Sequence, residues 1–153
     1  MTSKSAKPRL QGPSPGEQPQ GKKIIYLACP YTDPDSKVRE QRFHAATKAA
    51  AKLIERGAIV YSPITMTHPI DIVLAGTSET LGSDYWVTFD EAFMDVCSEM
   101  VILRIHGWDQ SGGIRREIGY FEKQGKPVRF MSPDDDTISA GRKDPKQQKK
   151  AAR

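Results

Sequence analysis

Short apolar runs alternate with longer amphipathic segments through the middle of the chain. The run "KIIYLACP" is rich in β-branched residues and closes on a proline, which is typical of a buried strand. Apolar residues then recur at helical spacing over residues 36 to 56, between an N-cap at Asp35 or Ser36 and a C-terminal Gly57. The run "AIVYSP" follows as a second strand that stops at a proline. This order predicts a βαβ unit at the start of the fold.

The second half of the chain repeats this order after one ambiguous stretch. Residues 70 to 74 are expected to form a short helix, and residues 76 to 84 a loop. In "YWVTFDEAFMDVCSE" the large apolar residues recur at i, i+3 and i+4 intervals, which predicts a helix with one apolar side. The strand "MVILRI", a loop over 106 to 113, a helix around 114 to 124 and the strand "KPVRFM" complete the pattern.

Continuous apolar strands separated by helices favour a parallel sheet that is covered on both faces. The sequence therefore predicts an α/β, Rossmann-like three-layer sandwich with a mostly parallel sheet of four to five strands. In such sheets the ligand crevice lies outside the carboxyl ends of the strands. The loops "CPYTDPD", "SPITMTHP" and "HGWDQSGG" each follow a predicted strand, so we expect them to lie on one rim.

The two ends of the chain differ in composition from this middle part. Residues 1 to 22 and 133 to 153 are polar and contain too few apolar residues to offset the entropy of ordering. We therefore predict one folded domain over residues 23 to 132 between two disordered tails. The tails carry a net charge of +5 and the whole chain +4, which leaves −1 for the domain. Because the tails lack interleaved aromatic residues, a solubilising role is favoured over contact with nucleic acid.

Cysteine usage and hydropathy bear on where the protein works. Cys29 and Cys97 lie in apolar contexts without the spacing of a zinc or redox motif, which predicts buried, reduced thiols. No apolar run approaches the ~20 residues of a membrane span, and the polar N-terminus lacks the hydrophobic region of a signal peptide. We expect a cytoplasmic protein with no membrane contact.

Glu117 lies just after the paired glycines of "SGG", near the start of the last predicted helix. Free backbone N–H groups at a helix start stabilise a nearby carboxylate and lower its pKa. An ionised and well-held carboxylate beside a sugar can attack the anomeric carbon and form a covalent glycosyl-enzyme. A glutamate at this place can also simply compensate the helix dipole, and the local sequence leaves both interpretations open.

The "SGG" stretch, formed by Ser111, Gly112 and Gly113, has the composition of a phosphate cradle. Glycines let backbone N–H groups approach an anion, and serine adds a hydroxyl. The stretch matches neither the P-loop nor the dinucleotide-binding fingerprint. Simple turn formation is an equal alternative.

An aspartate and two tyrosines are further candidates. Asp90 lies on the third predicted helix, where a carboxyl group can donate a proton to a leaving base, bind a sugar hydroxyl, or face solvent. Tyr26 and Tyr31 flank the end of the first strand, where a phenol can position a carboxylate or cover a nucleobase. Core packing is the simpler role for Tyr26. Pro30 precedes Tyr31 in the same rim loop.

Two histidines have acidic neighbours in the rim loops, His68 with Asp71 and His106 with Asp109. No third ligand stands at a spacing suitable for a metal site. We therefore expect neither a metal nor another cofactor. His68 and Asp109 remain candidates for substrate contact because both lie in the rim loops.

Four of these segments together resemble the nucleoside 2-deoxyribosyltransferase-like superfamily: "YLACPYTDPD", "SPITMTHPI", the helix with Asp90, and "GWDQSGGIRREIGYFEKQGKPV". Within it the chain is most similar to a little-characterised bacterial and phage group with a "YLA-x-PY" start and a "GW-x-x-S-x-G-x-x-x-E" ending. The resemblance covers about residues 23 to 131. It implies a flavodoxin-like sheet, usually in a homo-oligomer, and cleavage of the N-glycosidic bond of 2′-deoxynucleosides or their 5′-monophosphates.

The resemblance also implies a role for individual residues. Glu117 falls on the nucleophile that attacks C1′, Tyr26 on the residue that orients it, and Asp90 on the group that contacts the departing base or the sugar. The position six before the nucleophile is an aspartate in the transferases and a serine in the nucleotide hydrolases. Ser111 therefore favours a ligand with a 5′-phosphate.

The chain departs from both branches of the superfamily in places. The loop "CPYTDPD" carries acidic groups that disfavour a phosphate, although Arg115 and Arg116 supply positive charge nearby. The acidic partner that precedes the nucleophile in the transferases is absent unless Asp109 serves. We expect an enzyme that releases a base from a small-molecule nucleoside or nucleotide, with water or a second base as acceptor. The alternative is a non-catalytic nucleotide-binding or sensing module whose tails recruit a partner.

Overall fold

The computed structural model describes residues 21–76 and 81–141, and these contain five strands and four α-helices. Both predicted tails lie largely outside the described residues, since residues 1–20 and 142–153 are not among them. In chain order the elements are β1 (Ile24–Ala28), α1 (Ser36–Glu55), β2 (Ile59–Tyr61), α2 (Pro63–Ala75), α3 (Ser83–Val96), β3 (Glu99–Leu103), a 3-10 turn (Trp108–Gln110), α4 (Gly112–Lys123), β4 (Val128–Met131) and β5 (Ile138–Ala140).

The strands form one sheet in the order β2-β1-β3-β4-β5. The first four are parallel to one another, and β5 pairs antiparallel with β4. This confirms the predicted α/β fold with a mostly parallel sheet, and the strand order is that of flavodoxin-like proteins. In this order the chain changes direction across the sheet between β1 and β3, so their carboxyl ends border a natural crevice.

Alternate residues of β1 enter two separate cores, one on each face of the sheet. Ile25 and Leu27 pack with buried alanines and Leu53 of α1. Tyr26 and Ala28 pack on the opposite face with Met94 of α3 and with the buried Ile114 and Phe121 of α4. The period of two along a strand therefore directs Tyr26 towards the α3 and α4 layer.

The ends of the helices agree with the capping residues read from the sequence. The Asp35 side chain accepts a hydrogen bond from the backbone N–H of Lys37 at the start of α1, at 2.9 Å. Gly57, with φ of 85°, follows its C-terminus, and Gly125, with φ of 67°, follows that of α4. Left-handed backbone of this kind is adopted most easily by glycine, so both glycines end their helices without strain.

Helix α2 is longer than the short helix expected over residues 70 to 74. It begins at Pro63, where proline needs no intrahelical N–H partner, and it continues through Pro69. The buried side chains of Ile64 and His68 anchor its first two turns against α1 and the sheet. Tertiary packing therefore outweighs the helix-breaking tendency of Pro69. Helix α3 begins at Ser83, inside the expected loop 76–84, and residues 77–80 of that loop lie outside the described residues.

Ordered structure also continues into the segment 133–153, which was expected to be a tail. Ile138 pairs with Met131 and Ala140 with Arg129, which adds β5 to the edge of the sheet. Only Ile138 of this three-residue strand packs against the core. A short polar edge strand has no apolar run and no alternation, and so it left no signal in the sequence.

Both cysteines are buried free thiols, which confirms that prediction. Burial raises the pKa of Cys29 to about 12 and that of Cys97 to about 11, so neither thiol is reactive at neutral pH. Among the helices of the described residues, none combines the length and apolar character that crossing a membrane requires.

Candidate active site

A cleft of about 900 Å³ opens at the carboxyl ends of β1 and β3. The loops after β1 and β3 border it together with α2, α3 and the first turns of α4. The three segments expected to form rim loops thus meet in space, although "SPITMTHP" is the beginning of helix α2 and not a loop. Seven of the candidate site residues line its wall: Pro30, Tyr31, Asp90, Ser111, Gly112, Gly113 and Glu117. Other residues of the wall include Asp33, Arg42, Pro63, Asp71, Trp86, His106 and Arg116.

Glu117 and Tyr26 meet at the base of this cleft. The Tyr26 hydroxyl donates a hydrogen bond to Oε1 of Glu117 at 2.8 Å. Tyr26 has no exposed surface, and its ring packs against Phe121 of α4 at 5.5 Å between ring centroids. A buried and tightly packed phenol of this kind holds the carboxyl group of Glu117 in one orientation.

Burial sets the acidity of Glu117. Removal from water raises its pKa from 4.5 to about 7, with Asp90 adding to the increase, while the Tyr26 hydrogen bond and Arg116 oppose it. The sequence had led us to expect a lowered pKa from the start of α4. Glu117 is the sixth residue of that helix, and the effect of free N–H groups fades beyond the first turn. Desolvation therefore outweighs the helix dipole.

Asp90 extends from α3 into the same cleft. Burial raises its pKa from 3.8 to about 6, and Arg116 opposes the increase. Its Oδ1 atom is buried and has no hydrogen-bond partner within the described residues. Two carboxyl groups that titrate near neutrality thus share one cleft, which is typical of sites that use acid and base chemistry.

Tyr61 is a residue of this region that the sequence analysis did not single out. It is the register partner of Tyr26 on β2, and its ring lies 5.8 Å from the Tyr26 ring and stacks on Phe93 at 4.1 Å. Once β1 and β2 are paired in parallel, their period of two places both tyrosines on one face. The signal was present, but it depended on the strand register, which the sequence does not state.

Ser111 caps helix α4. Its Oγ accepts a hydrogen bond from the backbone N–H of Ile114 at 3.2 Å, and Gly112 and Gly113 beside it line the cleft. A serine at the N-cap satisfies one of the backbone donors at the start of a helix. The hydroxyl proton of Ser111 can still be donated to another acceptor. Capping and ligand binding are therefore compatible at this position.

The remaining candidates lie at different depths. Pro30 and Tyr31 line the cleft directly. His68 is buried behind them, where its Nδ1 shares a hydrogen bond of 2.7 Å with the Tyr31 hydroxyl. Asp109 lies on the 3-10 turn and does not belong to the cleft wall formed by the described residues. The structure thus gathers most candidates around one space, places His68 one layer behind it and leaves Asp109 aside.

The acidic loop after β1 is partly neutralised by Arg42 of α1. The Arg42 guanidinium lies 3.8 Å from the Asp33 carboxylate and donates hydrogen bonds to the carbonyl oxygens of Tyr31 and Thr32. Gly107 has φ of 88°, and a side chain there would meet this guanidinium at 3.0 Å. Arg42 therefore fixes the loop after β1 and lies close to Gly107 in the loop after β3, and no motif of the sequence marked these contacts.

Within residues 21–76 and 81–141, no group of three or more His, Cys, Asp or Glu side chains is arranged to hold a metal ion.

Comparison with known families gives a match that covers most of the residues described by the structure. The family model described as Domain of unknown function (DUF1937) matches residues 23–133. The chain belongs to this family. A search among curated proteins gives no match to the DUF1937 chain.

A solved structure is similar to the DUF1937 domain in fold and, more weakly, in sequence. It is described as a 2-deoxyribosyltransferase from the psychrotolerant bacterium Bacillus psychrosaccharolyticus, a biocatalyst for the synthesis of nucleosides. The two chains are 25% identical, the match covers 76% of this chain and 77% of the other, and the TM-score is 0.50. The DUF1937 domain thus belongs to the nucleoside 2-deoxyribosyltransferase-like superfamily, which confirms the resemblance read from the sequence.

Proposed function

We propose that this protein cleaves the N-glycosidic bond of a 2′-deoxynucleoside or its 5′-monophosphate, with Glu117 as the nucleophile. One observation carries the proposal: a buried tyrosine hydroxyl holds the Glu117 carboxyl group at the base of a cleft that a second carboxyl group, Asp90, also lines. The similar solved structure is described as a 2-deoxyribosyltransferase, which supports the same class of reaction.

Glu117 acts in two steps. In the first, a carboxylate oxygen forms a bond to C1′ while the bond from C1′ to the base breaks and its electron pair leaves with the base nitrogen. In the second, water or another base attacks C1′ and the carboxylate is released. The hydrogen bond from Tyr26 fixes the attacking group and stabilises its ionised form, in which alone it is a nucleophile.

Asp90 serves the opposite end of the breaking bond. From α3 it reaches the same cleft, where it either donates a proton to the departing base or binds a sugar hydroxyl. Arg116 lines the cleft as well, and its charge favours the ionised form of both carboxyl groups.

The 5′ end of the substrate is assigned to the start of α4. Ser111, Gly112 and Gly113 line the cleft there, and the N-terminus of a helix favours negative charge. Pro30 and Tyr31 form the facing wall, with His68 behind Tyr31 and Asp109 nearby on the 3-10 turn. This arrangement supports a nucleoside ligand and leaves room for a 5′-phosphate.

The acceptor decides between hydrolase and transferase. A transferase must keep water from the covalent intermediate until a second base arrives. Incubation of the protein with a deoxynucleoside and a different free base separates the two cases, because only a transferase forms the new nucleoside in excess of free sugar.

We further propose that the protein works as a homo-oligomer in the cytoplasm. Helix α2 exposes Met66, Ile70 and Val73 on one face, and such apolar surface is typical of a contact between subunits. Free cysteines are the rule in a reducing compartment, and both cysteines of this chain are unpaired.

The test of the proposed reaction is base release from a panel of deoxynucleosides and their 5′-monophosphates, measured by chromatography. We expect release by the parent and a loss of at least about a thousandfold in Glu117→Ala, because the nucleophile is removed. Glu122→Ala is the matched control, since Glu122 is an exposed glutamate on the same helix.

Two outcomes would contradict the proposal. One is a folded Glu117→Ala variant that releases base as fast as the parent. The other is a parent that releases no base from any member of the panel. Tight binding of a nucleotide without release would instead support the non-catalytic sensing module.

A further inference from the structure

The two tyrosines beneath the cleft are placed alike, but only one of them has a hydrogen bond within the described residues. Tyr26 and Tyr61 are register partners on neighbouring parallel strands, and both pack in the core below α3 and α4. The Tyr26 hydroxyl donates to Glu117. The Tyr61 hydroxyl is buried and unpartnered there, and so is Oδ1 of Asp90.

These two buried atoms are chemically complementary. A phenol donates a hydrogen bond and an ionised carboxylate accepts one, while leaving either of them buried and unpaired is costly. They are also electrically close, because the charge of Asp90 is the largest cause after burial that raises the pKa of Tyr61. One hydrogen bond between them, or one bridging water, would satisfy both atoms.

Phe93 holds Tyr61 on the face of α3 that carries Asp90. The rings of Phe93 and Tyr61 are stacked at 4.1 Å with an angle of 6° between their planes. Phe93 and Asp90 are three residues apart on the helix, and side chains at that spacing lie on one face. The Tyr61 hydroxyl and the Asp90 carboxyl group therefore belong to the same side of α3.

We propose that Tyr61 is a positioning residue for Asp90, whose Oδ1 accepts a hydrogen bond from the Tyr61 hydroxyl, directly or through one water, when the site is ready for substrate. The remaining Asp90 oxygen then meets the ligand. This inference rests on the proposed function for the role of Asp90 in the reaction. It pairs each catalytic carboxyl group with its own tyrosine, Glu117 with Tyr26 and Asp90 with Tyr61.

The contact has a consequence for the role of Asp90. A donor to the carboxylate favours the ionised form, whereas burial favours the protonated form. The other groups that face Asp90 are Arg116 of α4, which favours ionisation, and Tyr26 of β1. With Tyr61 as donor, Asp90 is an ionised acceptor that binds a sugar hydroxyl or a base N–H, and it is not the proton donor.

The direct test is titration of Asp90 by carbon-13 NMR in the full-length protein and in Tyr61→Phe. The variant keeps the ring stack and removes only the hydroxyl. We expect the pKa of Asp90 to be lower in the parent than in Tyr61→Phe by roughly one unit, because only the parent carboxylate has the Tyr61 donor, and the variant should approach the value of about 6 that burial sets without this hydrogen bond. Tyr120→Phe is the matched control, since the Tyr120 hydroxyl donates to the exposed Asp95 away from the cleft. An unchanged Asp90 titration in folded Tyr61→Phe would overturn the proposal.

The pH profile of base release gives a second readout. Because Glu117, with a pKa of about 7, sets the upper part of the acid limb, loss of the Tyr61 hydroxyl is expected to lower kcat/KM mainly below about pH 6, where more of Asp90 is protonated in the variant, with little change at pH 8 where Asp90 is ionised in both proteins. A purely structural role would lower the rate by the same factor at every pH, and that result would also count against the proposal.

A third measurement requires no variant. In the parent, labelled with ring carbon-13 tyrosine, the Cζ signal of Tyr61 should shift between pH 8 and pH 4 with the midpoint of the Asp90 titration, because the acceptor of its hydroxyl becomes protonated. A Cζ signal that does not follow the Asp90 titration would contradict the contact. The titrations need no turnover, so they separate a failure of this inference from a failure of the proposed reaction, which shows as absent base release in the parent.

Discussion

The burial of Glu117 reduces the stability of the fold at neutral pH. Its pKa is raised by burial from 4.5 to about 7, so the folded protein binds a proton more tightly than the unfolded chain. The contribution of this residue to the free energy of unfolding therefore falls as the pH rises from about 4.5 to 7. Sites that hold a group in an unfavourable environment for chemistry commonly show this behaviour.

Replacement of the charge should recover that loss. Glu117→Gln keeps an acceptor for Tyr26 but cannot ionise, and we expect it to raise the free energy of unfolding at pH 8 by about 2 kcal/mol. The difference should shrink towards pH 5, where the parent carboxyl group is protonated as well. Urea unfolding at both pH values measures it, with Glu122→Gln as the exposed control on the same helix. A Glu117→Gln variant less stable than the parent at pH 8 would contradict the account.

At the scale of single residues, the sequence identified candidate site residues but not their burial or their hydrogen-bond partners. Glu117, Asp90 and Tyr26 followed from the motifs and the resemblance. The hydrogen bond between Tyr26 and Glu117 joins residues 91 positions apart, and it depends on a helix crossing that no local pattern states. The direction of the Glu117 pKa was wrong for the same reason, because the sequence shows a place on a helix and not its burial.

Helix α4 is the element that connects the fold to the chemistry. Its cap Ser111 contacts the cleft, its second turn carries Glu117, and its buried Ile114 and Phe121 fix it against the sheet. A change at the cap therefore affects both helix stability and the ligand. The two effects can be separated, because serine and aspartate are both good N-caps but differ in charge.

We expect Ser111→Ala to lower the free energy of unfolding by about 1 kcal/mol through loss of the cap, and Ser111→Asp to leave it nearly unchanged. If a 5′-phosphate binds here, Ser111→Asp should reduce kcat/KM for a deoxynucleoside monophosphate at least tenfold more than for the free deoxynucleoside, because the added carboxylate repels the phosphate. Thermal unfolding and the ratio of the two kcat/KM values provide the test. An unchanged ratio in folded Ser111→Asp would place the phosphate elsewhere.

Among the elements, the sequence predicted the helices and strands whose apolar residues recur with a regular period. It failed for the elements whose structure depends on packing against other parts of the chain. The helices α1, α3 and α4 and the four parallel strands appear within a few residues of their expected bounds. Helix α2 was underestimated because Pro69 interrupts its sequence, and β5 was overlooked because three residues at a sheet edge bury almost nothing. Both depend on packing partners that are distant in the chain.

For the whole molecule, the exposed apolar face of α2 is the feature that a single chain does not explain. Met66, Ile70 and Val73 recur at i, i+4 and i+7, so they share one face of the helix. Their side chains are between 39% and 70% exposed. The opposite side of the helix, with Ile64 and His68, is already buried against the domain. The proposed homo-oligomer would cover this face with a second copy of the chain.

Sedimentation of the purified protein tests this assignment. The parent should sediment as an oligomer at micromolar concentration, and Val73→Asp should shift it towards the monomer because a charge in an apolar contact is costly. Val96→Asp is the control, since Val96 is similarly exposed, at 63%, but lies at the C-terminal end of α3. A parent that sediments as a monomer, or a shift caused equally by both variants, would contradict the assignment.

The architecture itself was the most predictable property of the molecule. Alternating apolar strands and amphipathic helices were enough to predict a parallel sheet and to place the three rim loops on one side. Which rim residues meet could not be predicted, because Arg42 and Tyr61 enter through the strand register and through loop contacts between distant segments.

The central claim is that Glu117 becomes covalently attached to the sugar, and mass spectrometry of the acid-quenched protein tests it most directly. After brief incubation with the deoxynucleoside or monophosphate that releases base fastest, the account predicts a deoxyribosyl or phosphodeoxyribosyl group on the peptide that contains Glu117. The same group should be absent from Glu117→Gln. Either of two results would contradict the account. One is base release that leaves no adduct and is undiminished in Glu117→Gln. The other is an adduct on a residue other than Glu117.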